Sequence, residues 1–206
     1  MRVLSIDVGT KNLGACDVEA SADGKSFRIH RWCVLTSSER GTTAVDEAIR
    51  GAVAAMRDLC GCEADGGGGS CPWDRAVIEN QPCMKNPRMK AVQTAIHTFL
   101  AMRPEDPDVV LAGAAGKNKV ADKILGKDEE CGATSGARYR RAKKRSVEAT
   151  KALLGSATDG RHDEWLAKLA THPKKDDMCD AFLQAIYFLS DKERVFSVDQ
   201  ICNCNV

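Results

Sequence analysis

The chain has 206 residues, a formal charge of +1, and 29% charged against 43% hydrophobic side chains. That length supports one well-buried domain without requiring two, so residues 1–206 are read as a single unit. Ten cysteines are too sparse for a disulfide scaffold, and no run reaches the roughly 18 apolar residues that span a bilayer. The start, Met1-Arg2 leading directly into a strand, reads as lacking a secretory leader. The expectation is a protein of a reducing intracellular compartment, with no membrane partner and most thiols free.

Residues 2–8 are β-branched and alternating, which predicts a buried strand. Gly9-Thr10-Lys11-Asn12 turns the chain into a second strand from Leu13 to Glu19, and Phe27 to Leu35 predicts a third. Thr42 or Thr43 is positioned to cap a helix reaching Cys60, with Val45, Ile49, Val53, Met56 and Leu59 inward. The segment 62–72 contains Gly66-Gly67-Gly68-Gly69-Ser70 and reads as a flexible loop. Arg75 to Glu79 predicts a strand, and Pro87 suits the first turn of a helix from Asn86 to Met102. Its inward face would carry Met89, Val92, Ile96 and Phe99 or Leu100.

Asp108 to Ala112 predicts a short strand. Residues 113–137 are rich in Gly, Ala and Lys and read as a mobile functional loop. Helices follow at Arg138 to Leu154, Asp163 to Ala170 and Lys174 to Leu189, the last burying Met178, Ala181, Phe182, Ala185 and Leu189. Residues 191–206 read as a tail. The order βββαβαβα plus late helices argues for an α/β sandwich, a mixed sheet opened by a hairpin meander with helices on its faces.

Four acids dominate the chemistry. Asp7 and Glu79 end apolar strands, and Asp177 and Asp180 stand three apart on a helix, about 5–6 Å between Cβ atoms. Carboxylates gathered without a counter-charge repel and raise one another's pKa values. A divalent cation is the natural centre, and magnesium suits a few carboxylates, waters and a substrate phosphate. The alternatives are bland: Asp7 as a turn residue before glycine, Glu79 as a surface acid or a partner of Lys85. Asp176 rivals Asp177, and all three late aspartates also suit a helix N-terminus.

Arg138 to Arg145 holds six cations and no acid, a local patch fit for phosphates. Lys117 and Lys119 are candidates for the scissile phosphate, and Lys174 and Lys175 for further phosphate contacts. His30, His97, His162 and His172 lack ligand spacing, and neither a P-loop nor a dinucleotide fingerprint occurs, so no nucleotide cofactor is expected. Cys60, Cys62, Cys71, Cys202 and Cys204 offer thiolates for zinc, against reduced bystanders.

Three blocks resemble the Holliday junction resolvases of the RNase H-like, RuvC-type superfamily, most closely the poxvirus branch. They are Ser5-Ile6-Asp7-Val8-Gly9-Thr10-Lys11-Asn12-Leu13-Gly14, then Ile78-Glu79-Asn80-Gln81-Pro82 with Asn86-Pro87-Arg88-Met89, and Lys174-Lys175-Asp176-Asp177-Met178-Cys179-Asp180. The basic helix after Tyr139 is also similar. The resemblance implies an RNase H-like fold: a five-stranded mixed sheet, three strands antiparallel and two parallel, flanked on both faces by helices. It implies a homodimeric endonuclease cutting four-way DNA junctions by paired nicks, in viral DNA replication, recombination and concatemer processing. A host cytoplasm or nucleus would be its place.

By motif match, Asp7, Glu79, Asp177 and Asp180 would hold two Mg²⁺ ions, with Mn²⁺ as a substitute. A lysine after the fifth strand assists in the family; Lys119 is preferred here over Lys117. Lys11, Asn12, Lys117, Arg138, Tyr139, Arg140, Arg141, Lys143, Lys144, Lys174 and Lys175 are the expected DNA contacts. The alternatives are a junction-binding protein without catalysis and an RNA-processing nuclease of the same superfamily. Actin-like kinases share the Asp-x-Gly-Thr turn but need a second phosphate loop and about twice the length.

Overall fold

The computed structural model describes residues 1–37, 44–61, 72–84, 86–103, 107–127, 134–156, 161–193, 195, 197 and 198. Strands β1 (Arg2–Asp7), β2 (Asn12–Ala20) and β3 (Phe27–Thr36) form an antiparallel meander. β4 (Arg75–Glu79) and β5 (Asp108–Ala112) then add in parallel beside β1, giving the order β3-β2-β1-β4-β5. The mixed sheet and its flanking helices are as the sequence predicts.

Alternation along the strands sorts side chains between two cores. Leu4, Ile6, Leu13, Ala15, Ala76 and Ile78 face α1 (Val45–Cys60) and α2 (Pro87–Ala101). Val3, Cys16, Val18 and Val77 face the opposite way, into a core shared with α4 (Ser135–Ser156), α5 (His162–Thr171) and α6 (Lys175–Tyr187). Asp7 and Glu79 follow Val3-x-Ser5 and Val77 at even spacing, so both belong to the α6 side.

Helix α6 crosses directly over the sheet. The four side chains predicted inward on it, Met178, Ala181, Phe182 and Ala185, are buried, as are Leu189 just beyond it and Cys179, Leu183, Gln184 and Ile186. A helix covered on nearly all sides is what results when sheet and outer helices sandwich it. The amide of Gln184 locks the crossing: its Nε2 donates to Ser5 Oγ at 3.1 Å, Ile6 O at 3.1 Å and Val77 O at 3.2 Å. On the far side, Trp32 Nε1 donates to Met178 O at 2.8 Å.

Several expectations are corrected. Much of 113–137 is a helix, α3 (Ala115–Leu125), rather than a loop. Its alanines, lysines and leucine favour helix, and Gly116, which suggests a loop, serves close packing instead. A Cβ there would lie 2.3 Å from Tyr187 Cδ1. In α1 the inward face is Ala48, Ala52, Ala55, Met56 and Leu59, whereas Val45 is exposed and Ile49 and Val53 are only partly buried. Small side chains let α1 lie close to its neighbours, so the alanines take the core positions the larger residues were expected to fill.

The last helix continues into a π-helical turn, Phe188–Lys192, and Val198 is buried in the core, so part of the expected tail is packed. Ala44, without a side-chain cap bond, precedes α1; Thr42, Thr43 and Lys85 lie outside the described residues, as do the 66–70 run and Cys62, Cys71, Cys202 and Cys204. Among the described residues no helix is long and apolar enough to cross a membrane.

Candidate active site

β1 and β4 run parallel with Ile6 opposite Ile78, so the next residues, Asp7 and Glu79, end side by side at the same sheet edge. Ligand sites at the carboxyl ends of parallel strands are a general consequence of that arrangement. Asp180 comes from above, on the second turn of α6. The approach is close because residue 14 is glycine: a Cβ there would lie 2.2 Å from the Asp177 carbonyl oxygen.

Three carboxylates meet around one ammonium. Lys117 Nζ, from α3, lies 2.8 Å from Asp7 Oδ1, 3.2 Å from Asp180 Oδ2 and 3.4 Å from Glu79 Oε1. Burial works against the charge on Lys117, but Asp7, Asp180 and Glu79 outweigh it and raise its pKa well above the ordinary lysine value. The pKa of Asp7 is raised as well, which for a carboxylate disfavours the charged form. Burial, with Glu79 beside it, pushes Asp7 up to about 7 despite the pull of Lys117. One ammonium therefore undercompensates three acids.

The other oxygens of two of these acids are held by neutral donors. Ser146 Oγ, from α4, donates to Asp180 Oδ1 at 2.7 Å, and Gln81 Nε2 donates to Glu79 Oε2 at 3.0 Å. Gln81 is itself fixed, its backbone N–H donating to buried Gln93 Oε1 at 2.7 Å.

Asp177 lines the same cleft but stands further out, 4.0 Å from Lys143 Nζ. Burial raises its pKa, with Asp7 and Asp180 adding to the effect and Lys143 opposing it. Asp176 is ion-paired with Lys143, so of the two rivals Asp177 is the one that faces the cleft. Lys119, the lysine preferred on the family resemblance, points away from the cleft, 4.0 Å from Asp191 Oδ2 and over the Tyr187 ring. Lys117 takes the place expected of it, because residues two apart on a helix lie some 200° apart around its axis.

The cleft has a volume of about 570 Å³ and is also lined by Thr10, Lys11, Asn12, Met89, Tyr139 and Lys143. Tyr139 is 62% exposed at its rim, with Lys143 Nζ 5.0 Å from the ring centre. Arg138, Arg140 and Lys144 are exposed along α4, and Arg141 is partly buried. Lys174 is exposed and Lys175 partly buried at the start of α6, and neither is among the cleft-lining residues. Ser146, Gln81 and Gln93 carry no sequence signal of their role; only the Gln81-Pro82 block singles one of them out.

Among the described residues no set of three His, Cys, Asp or Glu side chains is arranged to hold a metal ion as they stand. The shared point of Asp7, Glu79 and Asp180 is taken by the Lys117 ammonium. All donors there are hard oxygens, and three of them already surround a cation, so the residues fit magnesium or manganese replacing that ammonium.

The fold matches solved structures. The yeast mitochondrial Holliday junction resolvase Ydc2 superposes with a TM-score of 0.60, covering 94% of this chain and 81% of its own at 16% identity. The fowlpox virus resolvase, solved with its substrate Holliday junction DNA, gives 0.58, covering 93% and 98%, at 16% identity. Thermus thermophilus RuvC in complex with Holliday junction substrate gives 0.55 over 93% and 97%, at 14% identity.

This chain shares the fold of these three structures. No family model matches the sequence. An uncharacterized protein of Acanthamoeba polyphaga mimivirus is 32% identical over 124 residues, 56% of this chain, which spans only 29% of that relative's length.

Proposed function

We propose that this protein is a divalent-metal-dependent endonuclease that resolves four-way DNA junctions. The observation that carries the reading is the convergence of Asp7, Glu79 and Asp180 on a single cationic point at the floor of an open cleft. Asp7, Glu79 and Asp180 would hold the first magnesium ion, with Asp177 completing the place of a second. Magnesium held there would supply Lewis acidity to an attacking water and to the departing 3′-oxygen.

The chain's own residues do the rest. Lys117 holds the three acids together, its ammonium standing at the point a divalent ion would take. Lys117, lining the cleft, would also serve as a cation for the scissile phosphate. Lys11 and Asn12 at the β1–β2 turn, with Lys143 at the rim, approach the flanking phosphates. Arg138, Arg140, Arg141 and Lys144 continue the positive track along α4, and Lys174 and Lys175 extend it at α6. Tyr139 offers a ring face for an unpaired base.

Paired nicks need two such sites, which a two-fold homodimer supplies. The resemblance to poxvirus-type enzymes supports a role in viral genome processing inside an infected cell, with the chain acting as one nuclease domain. The test is incubation of purified protein with a labelled four-way junction and a matched duplex, with magnesium or EDTA. Symmetric nicks confined to the junction and the magnesium lane are expected. Retardation without cleavage would instead make it a junction binder, and preferential cutting of structured RNA an RNA-processing nuclease.

A further inference from the structure

The two neutral donors around the acids act on more than carboxylate position. Each carboxylate has two oxygens, and a cation selects between using one or both. Calcium accepts two-oxygen grips in a loose shell of six to eight ligands, whereas magnesium demands a compact octahedron. At Asp180, Ser146 occupies Oδ1 and only Oδ2 faces the cationic point. At Glu79, Gln81 occupies Oε2 and only Oε1 faces it. The same division on two acids, from α4 and from the end of β4, leaves each with one oxygen to give.

We propose that Ser146 and Gln81 are specificity-determining positioning residues that confine Asp180 and Glu79 to one-oxygen coordination and so favour a small octahedral cation over calcium. The inference rests on the metal-site reading above and names what sets its selectivity. Both donors are built in. Ser146 is buried on α4, a helix also fixed by Leu153 and Leu154 in the core. Gln81 is buried with its backbone tied to Gln93, whose Oε1 also accepts from Lys90 Nζ at 3.2 Å. With Ser146 on a packed helix and the Gln81 backbone tied to Gln93, rotation of either carboxylate to present both oxygens weakens a hydrogen bond that burial makes costly to lose.

The test needs no DNA and no turnover. Mn²⁺ binding to the full chain is measured by electron paramagnetic resonance, with Mg²⁺ and Ca²⁺ as competitors, for wild type, Ser146→Ala, Gln81→Ala and Ser146→Thr. In the two alanine variants the preference for Mg²⁺ over Ca²⁺ is expected to fall on the order of tenfold. Ser146→Thr keeps the hydroxyl and should retain the wild-type ratio. Manganese binding in the alanine variants with an unchanged ratio overturns the proposal, as does an equal loss of affinity for all three ions, the mark of a purely structural role. If wild type binds no Mn²⁺, the metal-site reading itself fails and this one with it.

Discussion

The two faces of the sheet are built on different principles. The α1–α2 face is closed by aliphatic and small residues, Leu4, Ile6, Ile78, Val92, Ile96, Leu100 and a run of alanines. The α6 face mixes a large aromatic core, Phe27, Trp32 and Phe182, with buried polar groups including Ser5, Ser146, Thr150 and Gln184. Buried polar groups add direction where apolar contacts add only area. Directional bonds thus aim the carboxylates on the α6 side, while the α1–α2 side, which also carries the polar pairs Gln93 with Gln81 and Arg2 with Asp17, chiefly supports the sheet. The difference predicts that damage to one face is read in chemistry and damage to the other in stability.

The sharpest way to break that comparison is at the acids. Asp7→Asn or Asp180→Asn is expected to lower junction cleavage by at least about 10²–10³-fold while leaving junction retardation near wild type. Cleavage by either variant at close to the wild-type rate would refute the assignment. Lys117→Met comes next, with cleavage expected to drop on the order of 10²-fold. Its Mn²⁺ affinity should rise, because the competing ammonium is gone, and a calorimetric titration showing weaker binding would contradict that.

Gly14→Ala against Leu100→Ala sets the two faces side by side. The alanine methyl at 14 must displace the first turn of α6, so a fall in cleavage of about tenfold or more is expected, as for misplaced catalytic groups. Leu100→Ala leaves a cavity on the other face and should lose about 2–5 kcal/mol in a denaturant titration, with cleavage per folded molecule unchanged. The smallest effect belongs to Lys119→Ala, under about twofold in rate, since its ammonium faces Asp191. A loss rivalling that of Lys117→Met would restore Lys119 to the site.

Much of this was legible in the residues. Alternation placed Asp7 and Glu79 on one face, and the three-residue spacing of Asp177 and Asp180 placed both on the cleft side of α6. What local pattern could not give came from tertiary packing. Gly116 marks close contact with Tyr187 rather than a loop, and without the helix the opposite directions of Lys117 and Lys119 cannot be seen. The roles of Ser146 and Gln184 depend on helices far apart in sequence meeting the sheet, and a serine or glutamine in an amphipathic segment gives no sign of its partner. The inward alanines of α1 were hidden for a related reason: the larger Val45 and Ile49 make the stronger stripe, but close approach favours small side chains.

The bond from Trp32 to the Met178 carbonyl has a practical side. An indole buried in the sheet, touching the backbone between Asp177 and Cys179, reports by its own fluorescence on the turn that presents the acids. Ion loading or DNA engagement that shifts this turn by a fraction of an ångström alters the polarity and bonding around that ring. The protein thus carries an unlabelled optical sensor of its working helix, with a phenylalanine replacement at position 32 as the blank.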